Sequence, residues 1–352
     1  MTTVLEEFRL QARFCADFNS VFVSELLTRL ADNIESGGVA AKLTADWQGN
    51  PRADAVSLRV VGALHAAALT GRDVALALAY PHATADWSMD RVWPLAMDFL
   101  TRDEAWVRDF MKSPPQTNET ARSTGLACAF IWLAERMPQP FHMRELGASA
   151  GLNLNWDRFA YAHPPWRRAS VIGPMMPTLI EGAAPAWRDI AIASRAACDQ
   201  NPLDPANAED RLRLRAYVWA DQPARLDRLN AAIDLARETG VKVEKADAAA
   251  WIRERLAGDL PDGTTVVYHS VFLQYPPLDV REAIGDAIEE AGRRTRDGRC
   301  LAWVRFEPES VLGAAHGSKR YVLNVVSWTN DQRDEVTLAD VDPHGRTLGW
   351  CA

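Results

Sequence analysis

Glu145-Leu146-Gly147-Ala148-Ser149-Ala150-Gly151 decides the reading of this 352-residue chain. An acid followed by spaced small residues, between an extended run and a helix, is how nucleotide-binding domains begin. Glycines at 147 and 151 let the backbone approach a ligand closely, the next helix offers N-terminal amides, and Glu145 is placed to accept hydrogen bonds from ribose hydroxyls. The same letters spell a second motif. Gly147-Ala148-Ser149-Ala150-Gly151 matches the G-x-S-x-G elbow, whose central serine sits on a strained strand-to-helix turn and attacks a carbonyl. That elbow requires strands before the serine, an upstream oxyanion-hole segment, and an acid and a histidine downstream. His269, His316 and His344 with Asp199, Asp204 or Asp247 supply only the last part, because the residues before Ser149 are helical in pattern and hold no His-Gly run. The cofactor loop accounts for more, and its bland counterpart is a tight strand-to-helix turn without a ligand.

Outward from the loop, extended runs alternate with helical ones. The extended runs cover Phe141 to Leu146, Ile190 to Ala197, Val241 to Ala246, Thr265 to Ser270, Cys300 to Phe306, Tyr321 to Trp328 and Glu335 to Asp342. Helical spacing over Asp210 to Glu238, Ala248 to Leu256 and Val280 to Arg293 separates the early ones, so the order βαβαβαβ argues a parallel sheet covered by helices. Only residues 329–334 separate the last two runs, too few for a crossover helix, which predicts an antiparallel hairpin at a sheet edge. A Pro- and Gly-rich stretch at about 162–187 reads as an insertion placed to cover the site. Before Met137-Pro138-Gln139-Pro140 the chain is helical in pattern almost throughout: Val4 to Ile34, Ala53 to Leu69, Asp73 to Ala79, Val92 to Phe99, Asp103 to Met111 and Thr120 to Glu135. The expected architecture is a helical N-terminal domain over residues 1–138 and an α/β domain over 139–352.

Asp199 and Asp247 close the second and third extended runs. A doubly wound sheet brings both to its carboxyl edge beside Glu145, where three acids suit ribose and adenine. Asp199 follows Glu145 by 54 positions, against about 20 in the usual dinucleotide unit, and the insertion accounts for the excess. The alternative for each acid is a turn or a helix cap, more so for Asp204, which precedes Pro205, than for Asp247. His269-Ser270 ends the fourth run, where a histidine serves either as a base near neutral pH or as a hydrogen-bonded strand-end residue. Gln274-Tyr275-Pro276-Pro277 after it suits a pocket wall or an ordinary turn. Ser113-Pro114-Pro115-Gln116 reads as a capping box, yet Gln116, Asn118, Glu119 and Arg122 continue the polar run beyond what a cap requires. Facing the sheet edge this cluster contacts substrate; facing water it only starts a helix.

Composition narrows the classes. A net charge of −8 without a basic stripe argues against duplex nucleic acid. Five scattered cysteines without C-x-x-C spacing indicate neither a disulfide framework nor a structural zinc site. No apolar signal core follows the N-terminal acids and no window reaches the length of a membrane span. These features predict a cytoplasmic protein with small-molecule partners and no metal.

Pro115-Gln116-Thr117-Asn118-Glu119, Glu145 through Asn153, Asp199-Gln200-Asn201-Pro202-Leu203-Asp204, Val218-Trp219-Ala220-Asp221-Gln222 and His269-Ser270 together resemble the bacterial domain of unknown function 2332 family. The resemblance implies a Rossmann-like, methyltransferase-like domain: a seven-stranded, mostly parallel sheet with a final antiparallel pair. Class I S-adenosylmethionine-dependent methyltransferases carry acid-x-Gly-x-Gly-x-Gly after their first strand and acids after the next two. Glu145, Gly147, Gly151, Asp199 and Asp247 match in turn, while the middle glycine is Ser149 and the fourth strand ends in His269-Ser270 instead of Asn/Asp-Pro-Pro-aromatic. The expected function is methyl transfer from S-adenosylmethionine to a small molecule. Glu145 and Asp199 hold ribose, Asp247 with Ala248 holds adenine, and the loop of Gly147, Ala148, Ser149 and Gly151 holds the methionine end. His269 is the candidate base, and Gln116, Asn118, Glu119, Arg122, Asn153, Ser270 and Tyr275 are candidate substrate contacts. The alternatives are a serine hydrolase using Ser149 and a non-catalytic nucleotide-binding protein with a degenerate site.

Overall fold

The computed structural model describes residues 2–162, 166, 168–170, 172–313 and 318–352; His316 lies outside them. Helices α1 (Val4–Asp17), α2 (Val21–Glu35), α3 (Val39–Thr44), α4 (Val56–Thr70), α5 (Val74–Ala79), α6 (Met89–Arg102) and α7 (Glu104–Met111) occupy the first third. Asn19, at φ 60°, breaks the single run expected over residues 4–34 into α1 and α2. Helix α8 (Ser123–Ala134) leads into β1 (Phe141–Leu146), and short strands β2 (Ala160–Tyr161), β3 (Met175–Met176) and β4 (Leu179–Glu181) precede β5 (Ile192–Asp199). Then come α9 (Ala208–Ala216), α10 (Pro223–Thr239), β6 (Glu244–Lys245), α11 (Ala248–Arg255), β7 (Gly263–Ser270) and α12 (Leu278–Gly292). Strands β8 (Arg299–Pro308), β9 (Tyr321–Thr329), β10 (Gln332–Val341) and β11 (Thr347–Trp350) complete the chain.

Two compact units form, residues 1–117 with 208–227 and residues 118–207 with 228–352. The division falls before α8 and not at residue 138, because α8 lies on strands β8 and β9, with Gly125 close against the Phe306 ring. In the first unit the amphipathic helices bury Phe8, Phe22, Leu26, Leu30, Val60, Leu64, Phe99 and Leu100. The segment 208–227 joins them through Asp221. Its carboxylate accepts from the Ser20 hydroxyl at 2.6 Å and the Phe22 amide at 2.9 Å, and so caps α2, whose N-cap residue Ser20 makes no side-chain cap bond to the helix. His65 on α4 meets the same segment. Its Nδ1 is 3.1 Å from the Ala216 carbonyl, which can only accept, so Nδ1 carries the proton. Burial keeps the ring neutral and pushes its pKa down to about 4.

Among the described residues the second unit holds a nine-stranded sheet in the order β4-β11-β10-β9-β8-β7-β1-β5-β6. Strands β6, β5, β1, β7 and β8 are parallel. Side chains alternate across this layer. Val267, Leu301 and Trp303 pack with α11 and α12 on one face, while Tyr268 meets Phe130 of α8 and Phe306 meets Gly125 on the other. Burial on both faces explains why β7 and β8 read as continuous apolar runs.

The expected seven strands become nine because the insertion and the C-terminus each add one. Strand β4 pairs in parallel with β11, and β11 pairs antiparallel with β10. The β9–β10 hairpin therefore lies inside the sheet and not at its edge, and its turn is two residues, Asn330 and Asp331, both at positive φ as a primed turn requires. The described part of the insertion supplies the edge strand and an aromatic cluster of Tyr161, Trp166 and Trp187, with centroids 5.2 to 5.5 Å apart. Strand β6 is shorter than the run expected from Val241. Gly240 at φ 67° ends α10, the Val241 amide is spent on the Ala236 carbonyl, and Val241 and Val243 pack against Gly151.

His65 makes stability depend on pH in a defined direction. The unfolded chain takes up this proton near pH 6.5, whereas folded His65 waits until about 4, so its contribution is complete above pH 6.5 and is lost as pH falls through that window. Denaturant unfolding should show a loss on the order of 3 kcal/mol from this group between pH 7 and 4. His65→Asn, which keeps a donor for Ala216, should shrink that loss; an unchanged pH dependence would contradict the assignment.

Candidate functional site

The parallel order reverses beside β1: the chain moves outward through β5 and β6, then returns to the other flank for β7 and β8. The carboxyl ends of these five strands share one edge, to which β10 also brings Asp342 and His344. Glu145 sits near the end of β1, paired with Ala197 of β5 and Tyr268 of β7. It is 3% exposed and accepts from the Tyr268 hydroxyl at 3.2 Å. Burial pushes its pKa up to about 8, overcoming that hydrogen bond, and nearby Asp199 adds to the rise. At neutral pH it is a protonated acid.

The loop after β1 alternates through the left-handed region, with φ 64° at Gly147, 53° at Ser149 and 68° at Gly151. Asp199 at the end of β5 holds its middle: Oδ2 accepts from the Ser149 amide at 2.8 Å and Oδ1 from the Asn201 amide at 2.8 Å. The Ala148 amide donates to the Cys198 carbonyl at 3.1 Å, extending the β1–β5 ladder into the loop. A Cβ at Gly147 would stand 2.2 Å from the Phe272 ring, and one at Gly151 would stand 2.6 Å from Val241. The expected α-helix after the loop is a 3-10 stretch over Leu152–Arg158, and its first amide donates to Asn118 Oδ1 at 3.0 Å. The Ser149 and Leu152 amides are thus spent within the protein. Asp247 continues the row of acids along the edge and caps α11 by accepting from Ala250 at 2.9 Å, with Ala248 opening the helix. Burial pushes the intervening Cys198 thiol up to about 12, and Asp199 and Asp247 both add to that rise.

The polar run near residue 118 faces this edge. No helix begins at Pro114; residues 114–119 are irregular, and Glu119 itself caps a short 3-10 turn by accepting from Ala121 at 3.1 Å. The capping-box reading of Ser113 to Gln116 is therefore corrected, and Gln116 belongs to the first unit. Asn118 and Glu119 are buried, and Asn153 Nδ2 donates to the Glu119 carbonyl at 3.3 Å. Glu119 Oε1 stands 3.8 Å from Arg228 Nη2, and Oε2 stands 4.0 Å from His344 Nδ1. Arg122 donates to the Ser270 carbonyl at 3.1 Å and the Pro343 carbonyl at 2.8 Å, so it braces the end of β7.

His269 is fully buried and both ring nitrogens are engaged. Trp303 Nε1, which can only donate, points at Nε2 from 2.9 Å, and Nδ1 lies 2.6 Å from Glu307 Oε1. The ring is the neutral Nδ1–H tautomer with no lone pair open to a substrate proton. The strand-end role replaces the expected role as a base. Glu307, at the end of β8, went unread in the sequence because an acid closing an apolar run carries no spacing signal of its own. Its Oε1 also accepts from the Phe272 amide at 2.8 Å and the Leu273 amide at 3.2 Å. Between Ser270 and Phe272, Val271 adopts φ 54°, a strained conformation for a β-branched residue. Tyr275 is 73% exposed on the following turn, beside Tyr321, whose phenol burial raises.

Glu145 yields a direct test. An acid whose folded pKa is raised stabilises the fold most below pH 4.5, and the contribution declines as pH rises to about 8. Glu145→Gln, which keeps an acceptor for Tyr268, should gain stability over the parent protein on moving from pH 4.5 to 9, by a few kcal/mol at the upper bound. Parallel stability curves for the two proteins would show that Glu145 ionises freely.

Among the described residues, no group of three His, Cys, Asp or Glu side chains is placed to hold a metal ion, and no helix is long and apolar enough to cross a membrane. A family model described as "Uncharacterized protein conserved in bacteria (DUF2332)" matches residues 5–350. No curated protein and no solved structure matches. With its helical first unit, its large mostly parallel sheet and a match spanning nearly its whole length, the chain belongs to the DUF2332 family.

Proposed function

We propose that the protein is a class I-like, Rossmann-type S-adenosylmethionine-dependent methyltransferase acting on a small-molecule acceptor. The observation that carries this reading is the reversal of strand order between β1 and β7, with the left-handed Gly147–Gly151 loop at the reversal and acids along the same edge. In doubly wound sheets ligands bind in the crevice at such a point. The residues fit an adenosyl group. Protonated Glu145 offers one donor and one acceptor to ribose hydroxyls, Asp199 carries the loop beside it, and Asp247 with Ala248 lies one strand further along for adenine. The half-buried Phe272 ring covers Gly147 and turns aside when a ligand enters.

When bound, S-adenosylmethionine supplies a methyl group on a sulfonium sulfur. The chain's own contribution is binding, orientation and exclusion of water, because His269 is committed to Trp303 and Glu307. Asn118, Glu119, Asn153, Ser270 and Tyr275 ring the same edge as contacts for the remaining ligand atoms. Five cysteines free of disulfides are in keeping with a cytoplasmic location.

Calorimetric titration with S-adenosylhomocysteine tests the reading. Micromolar binding is expected, weakened at least tenfold in Asp199→Ala, which releases the Ser149 amide; no binding of either sulfur ligand at millimolar concentration would overturn it. A second reading, serine hydrolysis, has one observation in its favour: Ser149 holds φ 53° within G-x-S-x-G while His344 and Glu119 approach each other at the same edge. A fluorophosphonate probe separates the two. Methyl transfer predicts no labelling, and labelling that disappears in Ser149→Ala would establish the hydrolase.

A further inference from the structure

We infer that Glu307 is a positioning residue for the candidate site: by pinning the turn after β7, it holds the Phe272 ring across Gly147 as a gate on the loop that an adenosyl group must reach. What passes the gate rests on the adenosyl reading above, while the gate itself is made of contacts within the chain.

The turn is built where two neighbouring strands end. Parallel pairing of β7 with β8 runs to Ser270 and Phe306, and one more ladder bond follows, from the Val271 amide to the Phe306 carbonyl at 2.7 Å. The backbone then passes through φ 54° at Val271, and the next two amides go to a side chain instead of a strand: Glu307 Oε1 takes Phe272 at 2.8 Å and Leu273 at 3.2 Å. A β-branched residue in the left-handed region persists only where its surroundings over-determine it. Glu307 supplies that on the far side of Val271. Its carboxylate is aimed from both strands, because Trp303 of β8 donates to His269 Nε2 at 2.9 Å and His269 Nδ1 of β7 donates to the same Oε1 at 2.6 Å. Oε2 is buried and takes no hydrogen bond, so three donors converge on one oxygen of a fully buried side chain.

The pinned backbone sets where the ring lies. The Tyr275 amide closes the turn on the Phe272 carbonyl at 3.0 Å. The three atoms nearest the place of a Cβ on Gly147 all belong to the Phe272 ring, at 2.2, 2.8 and 2.9 Å, and the ring centroid is 5.7 Å from that of His269. Gly147 is thus required for this contact as well as for its φ of 64°. With its backbone fixed, Phe272 is left to move about its own side-chain bonds, which uncovers Gly147 without disturbing either strand. A half-buried ring also gives up less packing by turning than a buried one does.

Amide hydrogen exchange on the intact protein, with folding checked by thermal melting, tests the gate without a ligand. Phe272→Ala should speed exchange at residues 147–151 at least fivefold. Glu307→Ala should do the same and also speed the Phe272 and Leu273 amides at least tenfold, whereas Glu307→Gln, which keeps the one accepting oxygen, should exchange like the parent. In the double variant, Glu307→Ala should add nothing at residues 147–151 to the effect of Phe272→Ala, because it acts there through the ring. An added effect, or unchanged exchange of that loop in folded Phe272→Ala, would overturn the gate. If Glu307→Ala misfolds, the parent decides: Phe272 and Leu273 amides exchanging as freely as that of exposed Gln274 would overturn the role of Glu307. Stopped-flow binding of S-adenosylhomocysteine then separates gate from ligand, with association at least fivefold faster in Phe272→Ala than in the parent. Binding at an unchanged rate would overturn the gate and leave the adenosyl reading intact. No binding by either protein would remove the adenosyl reading and leave the gate to the exchange result.

Discussion

The hydrogen bond from the Ser149 amide to Asp199 Oδ2 is the constraint on which the candidate site depends. A non-glycine residue at φ 53° carries a conformational cost on the order of 1–3 kcal/mol. A charge-assisted hydrogen bond of normal length offsets a cost of that size. Because Asp199 ends β5 while Ser149 follows β1, the shape of the loop is set by its neighbouring strand as well as by its own sequence. Gly147 and Gly151 supply the flanking left-handed residues, and both stand where a side chain would collide with Phe272 or Val241. The loop, the aromatic ring over it and the segment leading into β6 are therefore one packed arrangement.

Along the same edge, the groups that sequence patterning offers for acid–base chemistry are engaged within the protein. Glu145 keeps its proton at neutral pH, and His269 is locked as a neutral tautomer between an indole donor and a carboxylate. Neither is arranged as a base with access to a substrate. Two strained residues also lie here, Ser149 and Val271, in the left-handed region on either side of the strand-order reversal. Residues held in costly conformations gather at binding sites, where the surrounding packing fixes them for a ligand. An edge of this kind suits a reaction carried by positioning.

Much of this was legible in the sequence. Periodicity located β1 to the residue and came within two residues of both ends of β5 and β7. The acids at 145, 199 and 247 fell on adjacent strand ends because strand ends were all that had to be counted. What failed did so for long-range reasons. The ends of β6 and the capping box near Ser113 depended on competing partners: an α10 terminus that took the Val241 amide, and a Glu119 carboxylate that capped a later turn. The added strands β4 and β11 pair over about 170 residues of chain, beyond any local pattern. Glu307 and Arg228 carry no spacing signal, since an acid ending an apolar strand and a basic residue on a helix are commonplace. The Val218–Gln222 motif was visible, but its meaning, Asp221 capping the start of α2, required the fold.

The most direct measurement is a crystal structure of the protein grown with S-adenosylhomocysteine. The expected result is the ribose between Glu145 and Asp199 in the crevice beside β1, with the Phe272 ring turned away from Gly147 and the Ser149–Asp199 hydrogen bond intact. Ligand bound elsewhere, or a crevice still closed by Phe272 at saturating ligand, would contradict the assignment of this edge as an adenosyl site.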